Sequence, residues 1–200
     1  MTDIPWSPTD YTKADTTIVF DWDDTLLCSS WLKFKNFEPM AMSSKLALTT
    51  EAILRKAKTL GRVIIITNAS KGWIEMSCSK YMPNVMTVLQ GIPLIYAQEL
   101  YDINGDSPTL WKQKAFLDQM NEAFATSKNI VSIGDGYPEQ IALKTIRQLY
   151  ADIGCTVATK SVKLTERPSP RWLQRQLETM MMALPLVVLD QNNIDLMIDP

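Results

Sequence analysis

Three carboxylates crowd the end of an apolar run in the segment IVFDWDDTLL, at Asp21, Asp23 and Asp24, and a hydroxyl follows at Thr25. Acids this close repel one another, so a positive group must offset them, and a bound divalent cation is the natural candidate. Carboxylates beside a cation suit phosphoryl transfer. One can attack phosphorus to form an acyl phosphate, which splits a hard displacement into two easier ones. Another, two residues on, can protonate the departing oxygen. A lysine and a hydroxyl from elsewhere would then hold the equatorial oxygens, where charge spreads in the transition state. The chain contains no histidine. That removes serine–histidine and cysteine–histidine nucleophiles, HExxH zinc sites and histidine facial triads.

Bringing such groups together requires a scaffold, and its elements can be read from the periodicity. Residues 16–21 form a short β-branched run, and RVIIIT (Arg62–Thr67) is apolar on both faces, as a central parallel strand covered by helices should be. Further short strands are predicted at 85–89, 94–97, 130–133 and 156–160. Helical patterns occupy 43–60 with Gly61 as stop, 70–81 ended near Pro83, and 107–124 with Ser107 as N-cap and Pro108 in the first turn. Two more run from GDGYPEQ through Tyr150 and over 168–183. The alternation predicts an α/β three-layer sandwich with a central parallel Rossmann-like sheet and no large cap domain. Residues 1–15 read as an irregular lead-in, 16–160 as the catalytic core, and 161–200 as a helix followed by a last strand or docking arm. In a parallel sheet every strand delivers its C-terminal end to one edge. Asp21 and Asp23, Thr67 and Asn68, and Asp135 and Glu139 therefore converge there, with Lys112 and Lys114 at a helix opening.

DWDDT, IIITNAS, a lysine at a helix start and IGDGYPE together resemble the four ordered motifs of the haloacid dehalogenase-like superfamily, over residues 16–142. The resemblance implies a Mg²⁺-dependent phosphatase working through an aspartyl-phosphate. Asp21 would be the nucleophile, and Asp23 the general acid/base that also gives its backbone carbonyl to the metal. Thr25 would order the loop. Thr67 would bind phosphoryl oxygens beside Asn68, and Lys112, with Lys114 as the alternate, would neutralise the phosphoaspartate. Asp135 would ligate Mg²⁺, and Glu139 stands where the family more often has an aspartate, so it would reach the metal directly or from its outer shell. The metal set implied is Asp21, Asp23, Asp135 and Glu139.

Spacing and composition bound the partners. Roughly 46 residues separate Asp21 from Thr67 and a similar number lead to Lys112, room for one helix-and-strand excursion each but not for a large cap. An open site suits a macromolecular phosphosubstrate, or one presented by a partner. The competing expectation is a binding or structural subunit of the same fold with little catalysis, suggested by the aromatic stretch 31–37 and the apolar C-terminal segment, a candidate protein-partner surface. The 20 basic and 22 acidic residues give no overall nucleic-acid signal, although a local patch can hide in that average. Three scattered cysteines, an acidic N-terminus unlike a secretory leader and no long apolar segment predict a chain of the cytoplasm or another reducing intracellular compartment, without membrane contact.

Overall fold

The computed structural model describes residues 11–38, 42–102 and 105–198, so most of the predicted lead-in lies outside the described residues. Strands β1 (Thr16–Phe20), β2 (Arg62–Thr67), β3 (Leu94–Tyr96), β4 (Asn129–Gly134), β5 (Ala158–Lys163) and β6 (Ile194–Met197) form one sheet. Their order is β3-β2-β1-β4-β5-β6, and every neighbouring pair is parallel. Parallel neighbours need crossovers. These are supplied by α1 (Ser29–Phe34), α2 (Ser44–Leu60), α3 (Trp73–Tyr81), α4 (Met86–Leu89), α5 (Ala97–Tyr101), α6 (Pro108–Gln119), α7 (Tyr137–Asp152) and α8 (Pro170–Leu189). Strand side chains alternate between two cores. Ile18, Phe20, Val63 and Ile65 pack with α2, α3 and α8, whereas Val19, Ile64 and Ile66 pack with α5, α6 and α7. The result is the expected three-layer α/β sandwich.

Several elements depart from the sequence reading, each for a local reason. The predicted strand at 85–89 is instead a 3₁₀ turn (Pro83–Val85) running into α4. Val85, Val88 and Leu89 are all buried, and their spacing is that of a helix face. Gly61 ends α2 as expected but with extended backbone (φ −168°); a side chain there would bring Cβ to 2.7 Å from the Thr16 carbonyl oxygen, so close approach, not handedness, requires glycine. Helix α6 stops at Gln119, where the Phe124 N–H turns back to the Gln119 carbonyl at 2.8 Å. Strand β5 starts at Ala158, opposite Asn129 of β4, and continues to Lys163. Helix α8 passes through Pro185 to Leu189. A proline inside a helix costs about 3 kcal/mol. Burial of the flanking Leu184, Val187 and Val188 offsets it. The C-terminal segment is thus integral to the sheet, with β6 paired to β5.

The strand order reverses between β1 and β4, which leaves a crevice beyond their carboxyl ends. Phe20 lies opposite Ile133, and the Asp21 N–H bonds the Ile133 carbonyl at 2.9 Å. Asp21 and Asp135 therefore leave the sheet side by side.

Candidate active site

Residues from four crossings line one cavity of about 330 Å³ at this crevice: Asp21, Asp23 and Asp24 after β1, Thr67 and Asn68 after β2, Lys112 of α6, and Asp135 with Glu139 around the start of α7. Lys112 is its centre. The side chain is almost wholly buried, and the ammonium donates to Asp21 Oδ1 at 2.7 Å, to the Ile66 carbonyl at 2.7 Å and to Glu139 Oε1 at 2.8 Å. All three of its donors are used. Lys114, the alternate for this role, is elsewhere: it pairs with Asp106 Oδ2 at 2.6 Å and does not line the cavity. Two positions along a helix turn a side chain by about 200°, so only one of the two lysines can face the sheet.

The loop after β1 is shaped by its own backbone. The N–H groups of Leu26 and Leu27 return to the Trp22 carbonyl at 2.9 and 3.0 Å, and Asp24 takes a left-handed conformation (φ 54°), which an aspartate tolerates better than most residues. Its carboxylate accepts from the Ser30 N–H at 2.9 Å, a structural role within the loop. Trp22 is fully buried, with its indole N–H on Ser77 Oγ at 3.1 Å, and this anchors the loop between its two functional acids. Asp23 faces the cavity, where Trp73 Nε1 donates to its Oδ1 at 2.8 Å and Thr67 Oγ1 lies 3.5 Å from its Oδ2. Asn68 spends its amide on the Pro108 carbonyl at 3.1 Å, tying the β2 loop to the start of α6. Thr25 is fully buried behind the loop.

Two contributors, Trp73 and Lys163, were not singled out in the sequence. Trp73 holds Asp23, and no spacing rule announces it. Lys163, in β5, donates to the Asp135 carbonyl at 2.7 Å and fixes the loop that carries Asp135. A lysine at the end of an otherwise buried strand was the available signal. Gly134 and Gly136 let the Glu139 side chain lie against the loop; a Cβ at Gly134 would fall 2.6 Å from Glu139 Cγ.

The electrostatics follow from burial. Asp21 is pushed up to about 7, first by burial and then by Glu139 and Asp23, against the opposing pull of Lys112. Asp135 is pushed up to about 8 by burial and by Asp21, Glu139 and Asp24. Burial also raises Asp23, although bonds from Trp73 and Ser29 work the other way. Burial alone would depress Lys112, but Asp21 and Glu139 outweigh it and the ammonium is held. One cation thus faces a surplus of buried negative charge, and Glu139 Oε2 is buried without a hydrogen-bond partner.

Among the described residues no three His, Cys, Asp or Glu side chains form a ready-made metal cluster. Mg²⁺ does not need one, because it commonly takes one or two carboxylates and completes its shell with water and phosphate oxygens. The donors here are all hard oxygens, and Asp135 takes part in no ion pair among the described residues. Asp21 and Asp135 fit Mg²⁺. Glu139 shares Lys112 with Asp21 and keeps Oε2 without a partner, so it fits either a direct or an outer position.

This surplus has a measurable consequence without metal. Between the ordinary aspartate value near 3.8 and about 8, folded Asp21 and Asp135 retain protons that the unfolded chain has released. The folded state binds more protons there, so stability falls as pH rises through that window. Thermal unfolding in EDTA should show a lower Tm at pH 8 than at pH 5. Asp135→Asn should flatten the difference and stabilise the pH 8 protein by about 0.5–2 kcal/mol. A Tm that climbs over this range in EDTA would contradict the charge assignment.

No family model matches the chain. No curated protein matches it either. A solved structure of a chain assigned to the short-chain dehydrogenases/reductases, from Corynebacterium glutamicum, is similar at 10% identity over 92% of this chain and 99% of that one, with a TM-score of 0.32. A likeness that loose carries no inference about activity.

Proposed function

We propose that the chain is a Mg²⁺-dependent phosphohydrolase of the haloacid dehalogenase-like type, acting on phosphomonoesters through a phospho-Asp21 intermediate. The observation that supports it most is the Lys112 ammonium, buried between Asp21 Oδ1 and Glu139 Oε1, with Asp135 across the β1/β4 crevice. In the first step Asp21 attacks phosphorus, a new O–P bond forms, and the bond to the leaving oxygen breaks. Asp23, whose pKa burial raises, supplies the proton that the leaving oxygen needs. In the second step Asp23 takes a proton from water as it attacks the phosphoaspartate, releasing phosphate and restoring Asp21. Thr67 holds a phosphoryl oxygen. Lys112 neutralises the phosphoaspartate through its contact with Asp21, reaching a phosphoryl oxygen only by giving up one of its present acceptors. Asp21 and Asp135, with the Asp23 carbonyl, would hold Mg²⁺, which supplies charge neutralisation between the attacking carboxylate and the phosphate.

The site is open among the described residues, which suits a phosphate carried by a macromolecule. Among the described residues no helix is long and apolar enough to cross a membrane. The free thiols Cys28 and Cys78 are buried and pushed up to about 12 by that burial, which accords with a reducing intracellular compartment.

Hydrolysis of an aryl phosphate with Mg²⁺, abolished by EDTA and restored by added metal, is the result that supports this reading. Failure to turn over any phosphomonoester with Mg²⁺ present would sink it. The Asp23 role has its own signature. Asp23→Asn should slow alkyl phosphates by roughly 10²–10⁴-fold and aryl phosphates much less, since a good leaving group needs little protonation. Equal losses in both classes would remove Asp23 from that step.

A further inference from the structure

The cavity around Asp21 does not end at its rim. Ser30 lines both that cavity and a neighbouring depression of about 540 Å³, and Trp31 lines the second and a third of about 650 Å³. The three adjoin one another along α1 and the start of α8, a furrow in three parts. The two outer parts carry a charge opposite to the whole chain's net −2. Lys33 and Arg167 line the middle part, and Lys45, Arg171 and Arg175 line the far part. None of these five is in an ion pair among the described residues. The one acid among the lining residues of the two outer parts, Glu178, accepts from Gln174 at 2.8 Å. Arg171 and Arg175 stand one helical turn apart and so share a face. Arg167 is held at φ 53°, a conformation rare for a residue with a side chain and concentrated at functional positions.

Flat apolar surface accompanies this charge. Phe34 is 73% exposed and stands 6.0 Å, centroid to centroid, from Trp31 on the same short helix. The Lys35 ammonium lies 5.1 Å from the centre of each ring. Unpaired cations strung along a furrow, with aromatic rings set among them, form the surface that binds single-stranded nucleic acid: cations follow the phosphodiesters while bases stack on the rings. An acidic phosphopeptide would use the cations but brings no row of planar groups for the rings. Resting on the phosphohydrolase reading, we propose that the furrow is the track of a single-stranded nucleic acid whose terminal phosphate enters the Asp21 cavity.

The test uses the full chain and a fluorescent oligothymidylate of about ten nucleotides carrying a 5′-phosphate, a 3′-phosphate or neither. Fluorescence anisotropy is read over a salt series without Mg²⁺, so that binding is separated from turnover. With Mg²⁺ added to the Asp21→Asn variant, which should not turn over, a phosphorylated end should bind more tightly than the bare strand. Arg171→Ala with Arg175→Ala, both exposed, should lower the salt slope of log K by about 1.4, since each cation on a single strand contributes about 0.7. The pair Arg171→Lys and Arg175→Lys should keep that slope. Phe34→Ala should weaken binding by roughly 5- to 100-fold. An unchanged slope in the double alanine variant, or preference for an acidic phosphopeptide over the oligonucleotide, overturns the track. Aryl phosphate hydrolysis without oligonucleotide binding refutes the track and leaves the hydrolase reading intact. Salt-dependent binding without hydrolysis supports the track and refutes the hydrolase reading.

Discussion

Asp21→Asn is expected to lower turnover of any phosphomonoester by roughly 10⁴-fold or more, because it would remove the proposed nucleophile and leave only binding and electrostatic stabilisation. The fold should survive. The amide is nearly isosteric, and its oxygen can still accept from Lys112, which lies 2.7 Å from Asp21 Oδ1. Asp21 is held above its ordinary value by burial and by two neighbouring acids, so a neutral group there relieves repulsion. The combination is diagnostic: kcat falls to background while Tm at neutral pH holds or rises. More than about a tenth of wild-type kcat remaining would exclude Asp21 as the attacking group, since a nucleophile is worth several powers of ten.

Lys112→Met is expected to carry the largest stability loss. The wild-type ammonium satisfies Asp21, Glu139 and the Ile66 carbonyl at once, in a place with almost no access to solvent. Removing it leaves two carboxylates face to face without a counter-charge. Breaking a buried pair this way costs about 3–5 kcal/mol, roughly 6–20 °C in Tm for a chain of this size. The sign of its pH dependence is fixed. Without the lysine, folded Asp21 keeps its proton to a pH still higher than the wild-type value of about 7, so the deficit is largest above that value and shrinks as pH falls through it. Thermal unfolding at pH 9 and pH 5 checks this, and a deficit independent of pH would mean that Lys112 acts through packing alone. Activity should vanish as well, because nothing else in the cavity can neutralise the phosphoaspartate.

The legible parts of the fold were those where one physical signal dominates. RVIIIT could only be a strand buried on both faces, and β2 runs over those residues. Ser107 caps α6 by accepting the Leu110 N–H, with Pro108 in the first turn, as the side-chain chemistry dictates. Where two signals competed, the sequence misled. The β-branched residues at 85–89 favour a strand, but burial of Val85, Val88 and Leu89 on one side settles that stretch as a turn and short helix. β5 was read over 156–160 and runs from Ala158 to Lys163; Lys160 and Lys163 look like surface residues in the sequence. Both are buried, their amines placed on the Asn129 side chain and the Asp135 carbonyl. Pairing partners of that kind are invisible in a linear string.

The site divides in the same way. Asp21, Asp23, Thr67, Asn68, Asp135 and Glu139 were legible because strand ends in a parallel sheet must meet, and the structure gathers them around one cavity. Lys112 and Lys114 could not be separated by position, because each sits near a helix start. Burial separates them: one is sealed among acids and the other lies partly exposed beside Asp106. The basic furrow was hidden for a different reason. Its cations come from α1, α2, the approach to α8 and α8 itself, far apart in the chain, and they vanish into a balanced composition.

The central claim is a covalent bond between Asp21 and phosphorus, and trapping that bond tests it most directly. Borohydride quenching during turnover reduces an aspartyl-phosphate to homoserine, which peptide mass spectrometry locates. Homoserine at position 21, absent without substrate, is the result expected. Steady turnover with an unmodified Asp21, or homoserine at another aspartate, would contradict it.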